Sequence, residues 1–336
     1  MARLPLSVLD LATVSVGSTS AQALAEATVH AQRADELGYL RFWVAEHHNM
    51  ATVASTTPGV LIAHIAANTR RIRVGSGGVM LPNHAPLAIA EQFALLEAMH
   101  PDRIDLGIGR APGTDQATAL ALRGPGALSA EDFPENLIDV MGLLGDVRAE
   151  EGLWTKFMAT PAPTSSPQIL LLGSSGFSAQ LAGLLGLPFG YANHFDMGGP
   201  AAAATALYRE HFRPSPVLDR PYTIISASTM AADDHDEAHH LAGPAKLRKY
   251  GMRTGRLLPL LAPEQAATHP DFERAVAMPS SSIIGTAEEV RAGLDILAAE
   301  THADEVMVYT PTFSLAERLR SLELVAQAWG LEAPAA

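Results

Sequence analysis

The chain contains no cysteine, and that absence removes disulfides, thiolate metal sites and cysteine nucleophiles together. Charge is sparse: Asp, Glu, Lys and Arg make up only 18% of the residues, and 23 Lys and Arg face 36 Asp and Glu. The formal net charge of −13 argues against a nucleic-acid partner, because phosphate binding rests on clustered cations. No apolar stretch reaches the roughly 18 residues that read as a membrane span. The opening "MARLPLSVLDLATV" is interrupted by Pro5 and Asp10 and shows no small-residue cleavage site. The expectation is a cytoplasmic protein with no membrane partner.

Hydrophobic residues are plentiful at 48%, enough for one large core in 336 residues. Short apolar runs at 4–10, 40–45, 72–80, 103–108, 168–173, 188–193, 222–230 and 305–310 alternate with helical patterns. The helical patterns lie near 20–37, 57–67, 86–99, 133–149, 176–186, 200–212, 234–249, 286–299 and 314–329. Runs such as "QILLLG" and "EVMVYT" are continuously apolar, as parallel strands covered on both faces should be. Eight strand–helix units predict an α/β fold, a (β/α)8 TIM barrel, as one domain over 1–336. A doubly wound open sheet is the competing layout, disfavoured because no GxGxxG follows the first strand. The Gly- and Pro-rich stretches 110–130 and 250–282 read as insertions after strands four and seven.

The carboxyl ends of parallel barrel strands line the active site, so those ends supply the candidate residues. The second strand ends in Glu46, His47, His48 and Asn49, the third in Pro82, Asn83 and His84. The fourth ends in Arg110, the fifth in Ser174 and Ser175, the sixth in Asn193 and His194. His47 and His48 are adjacent and point to opposite faces, so they do not chelate one ion together, and no metal is expected. In "LLLGSSGFSAQLAGLLG" a strand, a glycine turn and a helix start with Ser174, Ser175 and Ser178 offer an anion site. No P-loop lysine is present, and a plain serine cap is the bland reading. Arg110 on the neighbouring strand adds a bidentate donor for a phosphate. Gly75, Gly77 and Gly78 in "RIRVGSGGVML" suit either a flat ring lying against the strand or a bulge. Lys246, Arg248, Lys249, Arg253 and Arg256 form a basic cluster, read as a solvated face or an anion contact.

Four stretches together resemble the luciferase-like monooxygenases: "LGYLRFWVAEHHN", "RIRVGSGGVMLPNHAPLAIAEQFALLEAMHPDRIDLGIGRAPG", "LLGSSGFSAQLAGLLGLPFGYANHF" and "IIGTAEEVRAGL". The resemblance implies a flavin-dependent oxidoreductase acting on paired donors, in which reduced FMN and O2 oxidise a small organic substrate. It implies His47 as the catalytic histidine beside the flavin, and a non-proline cis peptide at Gly77–Gly78 under the ring. It implies Arg110, Ser174, Ser175 and Ser178 at the FMN phosphate, with His48, Asn83, His84 and His194 as further pocket residues. It also implies a mobile lid at 250–282, a homodimer through helices near 57–67 and 86–99, and NAD(P)H or a flavin reductase as electron source. No reactive cysteine lines the pocket, so light emission and a long-chain aldehyde substrate are not implied. A coenzyme F420-dependent dehydrogenase on the same barrel, a flavin-binding protein without turnover and a metal-dependent hydrolase are the alternatives.

Overall fold

The computed structural model describes residues 3–111, 113–123, 131–162, 164–196 and 199–332. Nine strands form in chain order: β1 (Leu6–Asp10), β2 (Arg41–Val44), β3 (Arg73–Met80), β4 (Ile104–Gly109), β5 (Gln168–Gly173), β6 (Phe189–Tyr191), β7 (Thr223–Ala232), β8 (Ile283–Thr286) and β9 (Glu305–Tyr309). Consecutive strands β1 to β7 pair in parallel, β7 pairs β9, and β9 returns to β1 with Val8 opposite Val308. Eight strands therefore close into a (β/α)8 TIM barrel, as the strand–helix rhythm predicts.

The ninth strand was not expected. β7 is ten residues long because it serves two partners: Ile224–Ser228 closes the barrel against β9, and Thr229–Ala232 pairs with β8. The "IIGT" run is too short to stand out from a loop in sequence, and only the overhang of β7 gives it a partner. The insertion before it also holds short helices, Pro263–Ala267 and Phe272–Ala277. They pack Ala266, Ala275 and Phe272 against Leu247 of the helix His235–Arg253. Backbone bonds from Val16 to Leu260 and a serine cluster at 280–282 on Asp196 tie this cap to the barrel. The insertion after β4 carries a helix at Gln116–Arg123, and residues 124–130 of that stretch lie outside the described ones. The helix expected over 133–149 stops at Leu143, where Gly145 takes a φ of +100°.

Strand alternation sorts the barrel into two cores. Outward residues such as Leu6, Val8, Phe42, Val44, Ile104 and Leu106 pack under the helices. Inward residues Leu9, Trp43, Leu170, Ile224 and Met307 fill the lumen. Below that layer, at the amino ends of the strands, the lumen is ionic. Arg41 bonds both Glu305 oxygens at 3.0 Å and Asp105 at 2.9 Å, and Trp43 Nε1 donates to Asp105 at 2.9 Å. Arg73 and Tyr222 complete the pairing of these two fully buried carboxylates. A paired, hydrogen-bonded floor closes the barrel's amino end and leaves the carboxyl end open.

Candidate active site

Above the Trp43–Leu9 layer lies a cavity of about 370 Å³. Every barrel strand contributes to it, through Leu9, Trp43, Gly77, Gly109, Leu172, Gly190, Ile224 and Met307, which places it on the barrel axis. Its size and apolar lining are those of a small-molecule or cofactor site.

Two glycines of β3, Gly75 and Gly78, are required by strand packing, and two, Gly77 and Gly78, line the cavity. A Cβ on Gly75 would meet Asp105 Cβ at 2.5 Å and Trp43 at 2.9 Å, so Gly75 serves strand packing rather than a ligand. Gly77 and Gly78 line the cavity, their shared peptide bond is cis, and the register against β4 shifts between Gly77 and Val79. The bulge and the open wall expected as rival explanations are both present. A Cβ on Gly78 would meet Gly107 O at 2.8 Å, so the strands approach too closely for a side chain.

Arg110, Ser174, Ser175 and Ser178 meet at the β4 and β5 side of the cavity. The Arg110 guanidinium stacks 4.2 Å from the centre of the Phe177 ring, and no carboxylate pairs with it among the described residues. The helix Gly176–Leu185 begins here, and its N-cap Ser175 forms no side-chain capping bond. Free helix N–H groups, two neighbouring hydroxyls and an unpaired Arg make a built anion site. The donor set fits the phosphate of FMN, and the flat glycine wall with Trp43 and Leu172 fits an aromatic ring system.

His47 lines the cavity while His48 does not, although both lie just beyond the end of β2. His47 Nδ1–H donates to the Gly113 carbonyl at 3.3 Å, since a carbonyl only accepts. Nε2 is then the unprotonated atom of the neutral ring and has no protein partner among the described residues. Burial, aided by the charge of Arg248, lowers the His47 pKa from its ordinary value, so the imidazole is neutral at pH 7.

His48, Asn83 and His84, expected as pocket residues, line neither this cavity nor its neighbour. They gather instead round Glu46, which is fully buried. His48 Nε2 and His84 Nε2 each donate to Glu46 Oε1 at 2.9 Å, Asn83 Nδ2 donates at 3.3 Å, and Met80 N–H donates to Oε2 at 2.9 Å. Burial would raise the Glu46 pKa, but the bonds from His84 and His48 hold it below the ordinary carboxylate value. Glu46 fixes the strand end from which His47 projects.

His194 does line the cavity. Its Nδ1–H donates to Ser226 Oγ at 2.7 Å, and Ser226 Oγ donates onward to the Tyr191 carbonyl at 3.1 Å. Burial, then the Lys249 charge, lowers its pKa to about 3, so the ring is neutral. Sequence reasoning missed Trp43, Met80, Tyr191, Ser226 and Met307, strand residues set within apolar runs rather than in the polar stretches past the strand ends. Their inward phase follows from alternation only once the barrel is known to close.

A second, smaller cavity of about 100 Å³ shares Leu11, His47, His194 and Phe195 with the first and opens beneath the insertion that follows β7. The basic cluster is divided between it and the surface. Lys246, Arg248, Lys249 and Arg253 line it, whereas Arg256 turns away to Asp271 at 2.8 Å. Arg248 is 9% exposed, so the solvated-face reading fails for it.

The luciferase-like monooxygenase family model matches residues 4–305. A luciferase-like monooxygenase of Escherichia coli (strain K12) is 40% identical over 95% of each chain. N-acetyl-S-alkylcysteine monooxygenase of Bacillus subtilis (strain 168) is 32% identical over 96% of this chain and 97% of its own. Among solved structures, apo-MsnO8 superposes with a TM-score of 0.89 at 35% identity, covering 98% of this chain and all of that one (100%). Two more distant structures share the fold. One is the oxygenating constituent of 3,6-diketocamphane monooxygenase of Pseudomonas putida in complex with FMN (TM-score 0.72, 19% identity, 99% and 100% covered). The other is an F420-dependent secondary alcohol dehydrogenase (TM-score 0.68, 15% identity, 98% and 99% covered).

Proposed function

The chain belongs to the luciferase-like monooxygenase family, and from that premise we propose that it is an FMN-dependent monooxygenase that oxidises a small organic substrate with O2, acting on paired donors. The observation that carries this reading is the anion site at one wall of a cavity whose other walls are apolar and partly bare of side chains. Arg110 with Ser174, Ser175, Ser178 and the helix N-terminus would hold the FMN phosphate, while the backbone of Gly77 and Gly78 would line the ring's side of the cavity. Reduced FMN, when bound, supplies the electrons that activate O2.

The chain's own residues then have defined tasks. The apolar lumen excludes water. His47 holds its proton on Nδ1 against Gly113 O and leaves Nε2 free to take or return a proton near neutral pH. His194 stays neutral and bonded to Ser226, so it shapes the wall between the two cavities without adding charge. The cap over 250–282 shields this wall from solvent. NAD(P)H, used directly or through a flavin reductase, is the electron source of this reading. Val60, Leu95 and Met99 are exposed apolar residues on the helices Pro58–Ala67 and Pro86–Met99, and they suit the proposed homodimer.

Titration with FMN and with coenzyme F420 tests the cofactor. FMN binding in the micromolar range or tighter supports the reading, and preference for F420 overturns it in favour of a dehydrogenase. Turnover by wild type under reduced FMN and O2, lost in His47→Ala with FMN affinity retained, separates an enzyme from a flavin carrier. Unchanged turnover in His47→Ala removes the histidine from its role.

A further inference from the structure

Arg248 presents an electrostatic problem that the flavin reading does not solve. It is 9% exposed, lines the second cavity, and its one polar contact among the described residues is with Thr13 Oγ1 at 3.5 Å, the outer limit of a hydrogen bond. No carboxylate pairs with it among the described residues. The nearby acids are already used. Asp196 is held by Lys249 at 2.5 Å and by Ser280 and Ser281, and Glu46 is saturated by His48, His84, Asn83 and Met80. Lys246, half-buried two residues before it on the same helix, has no ion pair either among the described residues. A buried, uncompensated guanidinium is costly in a protein of net charge −13, which has no shortage of carboxylates to offer it.

The rest of the cavity describes what would compensate it. No Asp or Glu lines it among the described residues. Met50, Met230, Met252 and Met278 give it a soft apolar surface that adapts to a range of shapes. It meets the first cavity at the His47–His194 wall.

We propose that this second cavity is the substrate subsite, and that it takes a small organic carboxylate. Arg248 binds the carboxylate through its fork of N–H donors, with Lys246 as a second cation. The methionines hold the apolar stem, whose far end reaches the His47–His194 wall. This assignment rests on the flavin occupying the first cavity, and it narrows the substrate from any small organic molecule to an anionic one.

Calorimetric titration of the FMN-loaded protein with hexanoate and with its neutral isostere hexanamide is the test. Hexanoate should bind at least tenfold more tightly, equivalent to about 1.4 kcal/mol. Arg248→Met should abolish the preference and Arg248→Lys should retain part of it. Lys246→Met, at a half-exposed position that tolerates change, should reduce it about threefold; this variant decides the matter if Arg248→Met does not fold. Equal binding of acid and amide, an undiminished preference in folded Arg248→Met or in Lys246→Met, or displacement of FMN by hexanoate overturns the proposal. FMN affinity is measured separately. Its absence in the wild type overturns the flavin reading, and its loss in folded Arg248→Met alone overturns the substrate assignment.

Discussion

His47 and His48 are neighbours in the chain with different surroundings, a cavity for one and a buried carboxylate for the other. His47 borders both cavities, with Nδ1 on the Gly113 carbonyl, and His48 donates to the buried Glu46 carboxylate at 2.9 Å. One imidazole is therefore open to a ligand and the other is spent on structure. Glu46→Ala leaves two histidines, an amide and the Met80 N–H without their acceptor and should cost about 3 kcal/mol of folding stability. His47→Ala should cost less than about 1 kcal/mol. Denaturant midpoints of the two variants check the contrast, and equal losses would refute it.

The phosphate end of the first cavity is tested by a ligand that lacks the phosphate. Arg110→Met removes the guanidinium stacked on Phe177 and should weaken FMN by about ten- to a hundredfold, or about 1.4–2.8 kcal/mol. Riboflavin affinity should stay within a factor of about two. Flavin fluorescence quenching reads both, and a parallel loss for riboflavin would place Arg110 away from the phosphate.

His194 links stability to pH. Its pKa is lowered from 6.5 to about 3 in the fold, first by burial and then by Lys249. The folded state thus binds fewer protons than the unfolded chain between these values. The stabilisation is fully present above about pH 6.5 and is lost as pH falls toward 3, amounting to about 2 kcal/mol by pH 5. His30 and His47, also lowered by burial, act in the same direction. Melting temperature should fall steadily from pH 7 to pH 5, and His194→Gln should flatten part of that slope. An unchanged slope in the variant would show that the ring titrates normally.

The same logic predicts the acid limb of activity. The neutral form of His47 predominates above a pKa that lies below 6.5, chiefly through burial and further through the Arg248 charge. Turnover should be flat between about pH 7 and pH 8 and decline below about 6.5. Arg248→Met removes a cation and should move the acid limb to higher pH. A pH–rate profile under saturating substrate shows the direction, and a shift to lower pH would contradict the electrostatic coupling.

The floor of the barrel carries a prediction free of any cofactor. Arg41 pairs with both Asp105 and Glu305 at a site 4% exposed, so Arg41→Met leaves Glu305 without a cation among the described residues and Asp105 with Arg73 alone. A loss of about 3–5 kcal/mol is expected, with much of it recovered as pH drops and the carboxylates take up protons. Urea unfolding at pH 7 and pH 5 measures both parts.

Much of this was legible in sequence where local chemistry repeats a simple pattern. The strands of the barrel and helices such as 20–37 and 86–99 are written in apolar runs and helical periodicity, which need no distant partner to be read. The polar groups at the strand ends also announce a functional rim, and Arg110, Ser174 and His47 do meet at one cavity. His48, Asn83 and His84 carry the same polar signature and went elsewhere, because the buried Glu46 carboxylate holds them. No residue type distinguishes the two fates.

The sequence by itself determined the strand–helix alternation, the polar rim at the strand ends and the donors of an anion site. Tertiary structure alone decided what depends on closure. It gave "IIGT" a strand partner in the overhang of β7, stacked Trp43 and Met307 into one lumen, and sank Arg248 where a surface cation was expected. The physical reason is that burial and pairing belong to groups brought together from distant parts of the chain. A charge is costly or harmless according to neighbours that the sequence does not place beside it.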